Sequence, residues 1–190
     1  QGKWRFKFVN FEFKFPGVYA ITGRNGAGKS SLLKIISGLA LQNQGEVLYN
    51  KVPKDSLNEY ISVASPYLEL IQDFTVLEVF DFHFKFKTPI SSISIKDILK
   101  QIHLDEHAHK YFKYLSSGMK QKLKLALAFY SDTKILLLDE PCSNLDAETI
   151  QWYQSKIEEF KDSRLIIICS NNKQDELVAI QALLNIHDFK

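Results

Sequence analysis

The stretch GRNGAGKSS, Gly23 to Ser31, lies between a short apolar run, Val18 to Thr22, and a segment whose Leu32, Leu33, Ile35 and Ile36 recur at helical spacing. Glycine at this density weakens both helix and strand. The stretch is therefore a loop, and its flanks make a strand-loop-helix unit that stops at Gly38, a C-terminal cap. Such a unit requires a sheet to bury the strand, and it leaves the loop at a helix N-terminus rich in free backbone N–H groups.

The rest of the chain supplies that sheet. Ile135 to Leu138 and Leu165 to Cys169 are apolar at every position, the mark of strands covered on both faces. They alternate with helical patterns over Lys120 to Tyr130 and Ala147 to Phe160, which predicts a parallel sheet between helices. Ile61 to Ala64 and Glu46 to Tyr49 read as further strands. Phe11, Phe13 and Phe15 alternate with Glu12 and Lys14 and read as a half-buried antiparallel strand ending at Pro16 and Gly17. Val76 to His83 and Ser94 to Ile102 read as helices of a short helical subdomain over about residues 67–115. The expected fold is α/β: one domain over residues 1–190, with a parallel-sheet core, a small antiparallel β section and that helical subdomain.

Composition narrows the function. With 190 residues and 45% apolar content the chain can bury one sizeable core. Its 24 basic and 22 acidic side chains form no long single-sign block, so nucleic-acid binding has no support. Cys142 and Cys169 both adjoin apolar runs, which fits buried hydrophobes in a reducing, cytosolic compartment. The apolar runs are too short to span a bilayer, and no charged-then-apolar leader opens the chain, so any membrane role is expected through a partner. A first residue that is Gln and already close to a strand reads as a trimmed N-terminus.

Gly23, Gly28, Lys29 and Ser30 meet the spacing GxxxxGK(S/T) of a phosphate-binding P-loop. The backbone of Asn25, Gly26, Ala27 and Gly28 curls so that successive N–H groups face inward, and the helix adds its positive end. Lys29 reaches the β- and γ-phosphates, Ser30 offers a hydroxyl to Mg²⁺, and Ser31 lies where it contacts the α-phosphate. A Mg²⁺ site also needs a carboxylate, and LLLDE places Asp139 at a strand end. Glu140 follows, and because successive side chains diverge there, it faces the space beyond the γ-phosphate, where an attacking water is oriented.

Four motifs in order resemble the nucleotide-binding subunits of ATP-binding-cassette (ABC) transporters: GRNGAGKSS as Walker A, LSSGMKQK at Leu115 to Lys122 as the signature, ILLLDEP at Ile135 to Pro141 as Walker B, and SNLD at Ser143 to Asp146 as the D-loop. The resemblance implies a P-loop NTPase fold and Mg²⁺-dependent ATP hydrolysis. It further implies a head-to-tail dimer in which Ser116, Ser117 and Gly118 of a second copy touch the γ-phosphate in trans. Asp146 then couples the two sites, and a membrane permease receives the motion, with the chain peripheral on the inner face of the membrane. A soluble assembly ATPase with the same motifs, or a slow or non-hydrolysing ATP switch, is the alternative.

The chain departs from the family pattern at three places. CSNN puts Asn171 where a histidine is usual, and asparagine hydrogen-bonds without taking a proton charge. Ser65 and Pro66 stand where a glutamine is usual, with Gln72 only further along. The aromatic residue expected against adenine lies upstream of the first strand, where Trp4 is a poor substitute. Asn172, Lys173 and Asp175 spell the guanine-recognition pattern NKxD, but DEP and the signature helix do not belong to a GTPase. His103, His107 and His109 read as solvated surface, and the phenylalanines at 80, 82, 84 and 86 as core and partner-facing packing.

Overall fold

The computed structural model describes residues 6–7, 9–50, 52–53, 56–90 and 93–189. Five strands form one sheet: β1 (Gly17–Thr22), β2 (Ile61–Ala64), β3 (Ile135–Asp139), β4 (Leu165–Ser170) and β5 (Ala182–Asn185). Their order is β2-β3-β4-β1-β5, and all four pairings are parallel. The helices are α1 (Lys29–Ile36), α2 (Leu57–Tyr60), α3 (Val76–His83), α4 (Ile95–Gln101), α5 (Ser117–Phe129) and α6 (Ala147–Phe160).

The apolar strands are buried because each has a core on both faces. Leu136, Leu138, Ile166 and Ile168 point into a cluster closed by α3, α4, α5 and α6. Ile135, Leu137, Ile167 and Cys169 point the other way, onto Leu32, Leu33 and Ile36 of α1. Strand alternation thus divides one continuous apolar run between two cores. The registers pair Asp139 with Cys169, Ile21 with Cys169, and Thr22 with Ser170. The carboxyl ends of β1, β3 and β4 therefore finish level, and the loops leaving them meet in one place.

Both helices expected in the middle of the chain form: α3 matches its predicted span, and α4 lies between Ser94 and Ile102 as its caps. Thr75 and Glu78 form a reciprocal capping box at the start of α3. The small antiparallel section is not realised as predicted. Residues 11–15 and 46–49 carry no strand, and the antiparallel pairing among the described residues consists of two isolated bridges, Thr75 with Tyr111 and Pro89 with Ser131. Alternation alone does not make a strand: Phe11 and Phe13 instead pack their rings on Tyr19, at 6.1 and 5.3 Å between centroids. β5, whose residues alternate between buried and open positions, escapes the sequence pattern. Trp4 lies outside the described residues.

Candidate functional site

The loop after β1 ends at Gly28, whose φ of 110° caps α1 from a conformation that a Cβ would strain. Asn25 and Gly26 are exposed on the loop, Ala27, Gly28 and Lys29 are buried, and Ser30 and Ser31 are half-buried on the first turn of α1. The Lys29 ammonium donates to the Gly23 carbonyl at 2.8 Å, to the Arg24 carbonyl at 3.2 Å and to Asn171 Oδ1. Its three donors are used, so its charge is held at the centre of the loop.

Asp139 ends β3 and is 2% exposed. The Ser30 hydroxyl lies near its carboxylate, and at Oδ2 the carboxylate accepts from Ser65 Oγ at 3.3 Å. Burial raises its pKa above the ordinary carboxylate range and Glu140's charge adds to this, against the hydroxyls of Ser30 and Ser65 and the charge of Lys29. Oδ1 is buried without a hydrogen-bond partner among the described residues. Such an oxygen is costly to leave unsatisfied. Beside a serine hydroxyl it offers the hard-oxygen donors that Mg²⁺ takes, so the residues present fit the ion.

The sequence reading set Ser65 where a glutamine is usual but gave it no role; the structure puts its hydroxyl on Asp139. Gln72 lies away from this carboxylate and donates to the Leu70 carbonyl at 3.2 Å. No spacing rule finds Ser65; only the pairing of β2 with β3 carries it to Asp139.

Glu140 follows with φ at 43°, a left-handed turn that swings its side chain away from that of Asp139. Its N–H still donates to the Cys169 carbonyl at 2.9 Å. Glu140 Oε1 accepts from Asn171 Nδ2 at 3.0 Å, and Oε2 accepts from Ser143 Oγ at 3.4 Å. Asn171 therefore touches both charges, its oxygen on Lys29 and its amide nitrogen on Glu140. The chain Lys29-Asn171-Glu140 links Walker A to Walker B through a residue that carries no charge of its own.

The signature residues Ser116 and Ser117 are exposed at the start of α5, where Ser116 Oγ accepts the Met119 N–H at 3.2 Å. A Cβ on Gly118 would stand 2.7 Å from the Asn144 carbonyl, so the first turn of α5 rests directly on the D-loop. Two further contacts fasten it. Gln121 Nε2 donates to the Pro141 carbonyl at 3.1 Å, and Lys122 Nζ lies 3.2 Å from Asp146 Oδ2. Asp146 itself caps α6, accepting from the Thr149 N–H at 2.8 Å. The bonds from Thr149, helped by Lys122, lower its pKa to about 2. Gly118 and Asp146 thus have work within their own chain that the motif reading did not anticipate.

The remaining candidates resolve into local structure. Lys173 lies 3.9 Å from Glu176, and Asn172 turns the chain with φ at 65°. His103 pairs with Glu148 at 3.3 Å. Phe80 is buried, while Phe82 and Phe86 are 40% and 67% exposed along a groove of about 220 Å³ that Leu70, Phe74, His83 and Lys87 also line. Burial, with the nearby charge of Lys87, lowers the His83 pKa to about 4, so its ring is neutral at pH 7. Among the described residues no helix is long and apolar enough to cross a membrane.

Residues 6–143 match the sequence profile of the ABC transporter family. The lantibiotic transport ATP-binding protein SrtF of Streptococcus pyogenes is 30% identical over 174 residues, 89% of this chain and 74% of that protein. The galactose/methyl galactoside import ATP-binding protein MglA of Mannheimia succiniciproducens is 29% identical over 187 residues, 90% of this chain and 36% of that protein. The chain likewise spans only 20% of ABC transporter A family member 7 of Dictyostelium discoideum and 38% of the arabinose import ATP-binding protein AraG of Pectobacterium atrosepticum, so against these two and MglA it covers well under half of their length. A bacterial ABC transporter cassette solved as a dimer superposes with a TM-score of 0.81 at 23% identity, over 96% of this chain and 87% of that one.

Proposed function

The chain belongs to the ABC transporter family, and from that premise we propose that it binds and hydrolyses ATP as the energy-coupling domain of a transporter. What carries the reading is the Glu140 carboxylate, fixed at 3.0 Å from Asn171, which in turn meets Lys29 of the phosphate loop. The loop N–H groups and Lys29 hold the triphosphate, with Ser31 toward its α end. Mg²⁺ held by Ser30 and Asp139 would neutralise charge on the β- and γ-phosphate oxygens. Glu140 orients the attacking water and accepts its proton.

Asn171 donates to Glu140 but takes no proton, so it orients without adding positive charge near the γ-phosphate. Hydrolysis is therefore slow. The open N-terminus of α5, with Ser116, Ser117 and Gly118, serves the ATP of a second copy, where the helix end adds favourable charge. Asp146, joined to α5 through Lys122, transmits the state of one site to the other. The groove between Phe74, Phe82 and Phe86 receives a helix of a membrane permease, which holds the chain against the cytoplasmic face of the membrane.

Steady-state ATPase measured on the wild type and on Glu140→Gln tests this. Loss of the carboxylate is expected to cost ~10²–10⁴-fold. A wild-type rate equal to that of Glu140→Gln would sink hydrolysis and favour the non-hydrolysing switch, and co-purification with a soluble partner in place of a permease would favour an assembly role.

A further inference from the structure

Among the described residues, outside the loop and the two acids, one carboxylate has no solvent exposure at all: Glu176, on the 3-10 turn Gln174–Glu176 after β4. Its Oε2 accepts from Ser170 Oγ at 2.5 Å, and its Oε1 accepts the Cys142 N–H at 3.3 Å, with Lys173 Nζ at 3.9 Å. Tyr153 OH donates to the Glu176 backbone carbonyl at 2.9 Å, which anchors the turn independently of the side chain. Ser170 immediately precedes Asn171, and Cys142 follows Glu140 by one intervening residue. The two oxygens of one side chain therefore grip the two segments that bring Asn171 and Glu140 together.

A buried carboxylate is unfavourable unless its lone pairs are filled, and an apolar side chain of similar volume commonly packs such a position at least as well. Stability alone therefore gives no reason for Glu176. Its bonds do. The Ser170 contact is short, as expected of a hydroxyl donating to a carboxylate. Beyond the β3–β4 ladder, the segments are joined by the Glu140 N–H bond to Cys169, the side-chain bond from Asn171 to Glu140 and the Cys142 Sγ contact to the Asp175 carbonyl at 3.8 Å. Among the described residues only the Glu176 side chain bonds both Ser170 and Cys142, so drift of Cys142 against Ser170 would act on the Asn171–Glu140 distance.

We propose that Glu176 is a positioning residue for hydrolysis, clamping Ser170 to Cys142 so that Asn171 holds Glu140 in its water-orienting place. The clamp rests on the reading of Glu140 as the hydrolytic base. It acts mainly on the chemical step, because the Glu176 side chain bonds Ser170 and Cys142 and reaches the phosphate loop only through the contact of Asn171 with Lys29.

The test compares Glu176→Leu, Glu176→Gln and Ser170→Ala with the wild type, reading kcat, KM, Mg-ATP affinity and thermal midpoint on the folded fraction. Glu176→Leu removes both arms, and its kcat is expected to fall by at least tenfold, with KM and ATP affinity within about threefold, since sub-ångström to 1 Å misplacement of reacting groups costs up to ~10²-fold. Glu176→Gln keeps a carbonyl oxygen for Ser170 and is expected between Leu and wild type. Ser170→Ala removes one arm without altering the carboxylate and is expected to lower kcat severalfold. A fall in thermal midpoint with unchanged kcat in the folded variants overturns the clamp, as does wild-type kcat in both Glu176→Gln and Ser170→Ala should the leucine variant fail to fold. A wild-type rate no higher than that of Glu140→Gln overturns the hydrolysis reading and the clamp together, whereas an active wild type with unaffected variants overturns the clamp alone.

Discussion

Replacing Asn171 with alanine separates the two charges it joins. The lost contact to Glu140 is a hydrogen bond of 3.0 Å to a carboxylate, of the kind worth about 1.5–3 kcal/mol when its acceptor is charged. If the bond persists in the transition state and Glu140 becomes mobile without it, each 1.4 kcal/mol is tenfold in rate, which gives a fall in kcat of roughly 10–100-fold. Binding behaves differently. Asn171 also occupies one donor of Lys29, and removing it frees that donor for phosphate, so KM is expected to stay level or fall. Steady-state ATPase over a range of Mg-ATP concentrations reads both parameters. A kcat within twofold of wild type, or a kcat loss matched by an equal rise in KM, would refute the reasoning. Asn171→His supplies the complement: it restores a donor to Glu140, and its activity is expected to acquire a dependence on pH near 6.5 that the wild type lacks.

Two further outcomes follow from the contacts of α5. Gly118→Ala places a methyl group 2.7 Å from the Asn144 carbonyl, and although alanine is the better helix former by about 1 kcal/mol, the overlap with backbone is expected to cost about 1–3 kcal/mol. A thermal midpoint that rises would show the approach to be relaxed in solution. Asp146 has its pKa lowered to about 2, so the stability it contributes is present above the unfolded value of about 3.9 and is lost as pH falls from there through 2. Its side chain is 61% exposed, so solvent screening keeps the ion-pair part small, and the cap itself is worth about 1 kcal/mol. Urea unfolding of wild type and Asp146→Asn at pH 6 and pH 3 is expected to show a difference that shrinks at the lower pH; a constant difference would mean that the charge is irrelevant.

The elements read correctly from sequence are those in which composition and period agree. Ile135 to Leu138 and Leu165 to Cys169 admit little but buried strands, and the glycines after β1 admit little but a loop that runs into a helix. The expected strands at residues 11–15 and 46–49 failed for a physical reason: a half-buried strand depends on a neighbour to complete its ladder, and alternation along one segment says nothing about that neighbour. β5 was missed for the converse reason, since a four-residue edge strand takes its order from β1 beside it.

The sequence by itself determined that a glycine-rich loop entering a helix, an aspartate at a strand end and a following glutamate lie on one parallel sheet, because local spacing and strand burial are encoded residue by residue. Only the tertiary structure decided what surrounds them. The level carboxyl ends of β1, β3 and β4 bring Asn171 between Lys29 and Glu140, the pairing of β2 with β3 brings Ser65 to Asp139, and the packing of α5 on the D-loop sets Gly118 against Asn144. Each of those meetings joins segments far apart in the chain, and the register of neighbouring strands and the packing of α5 on the D-loop set their distances.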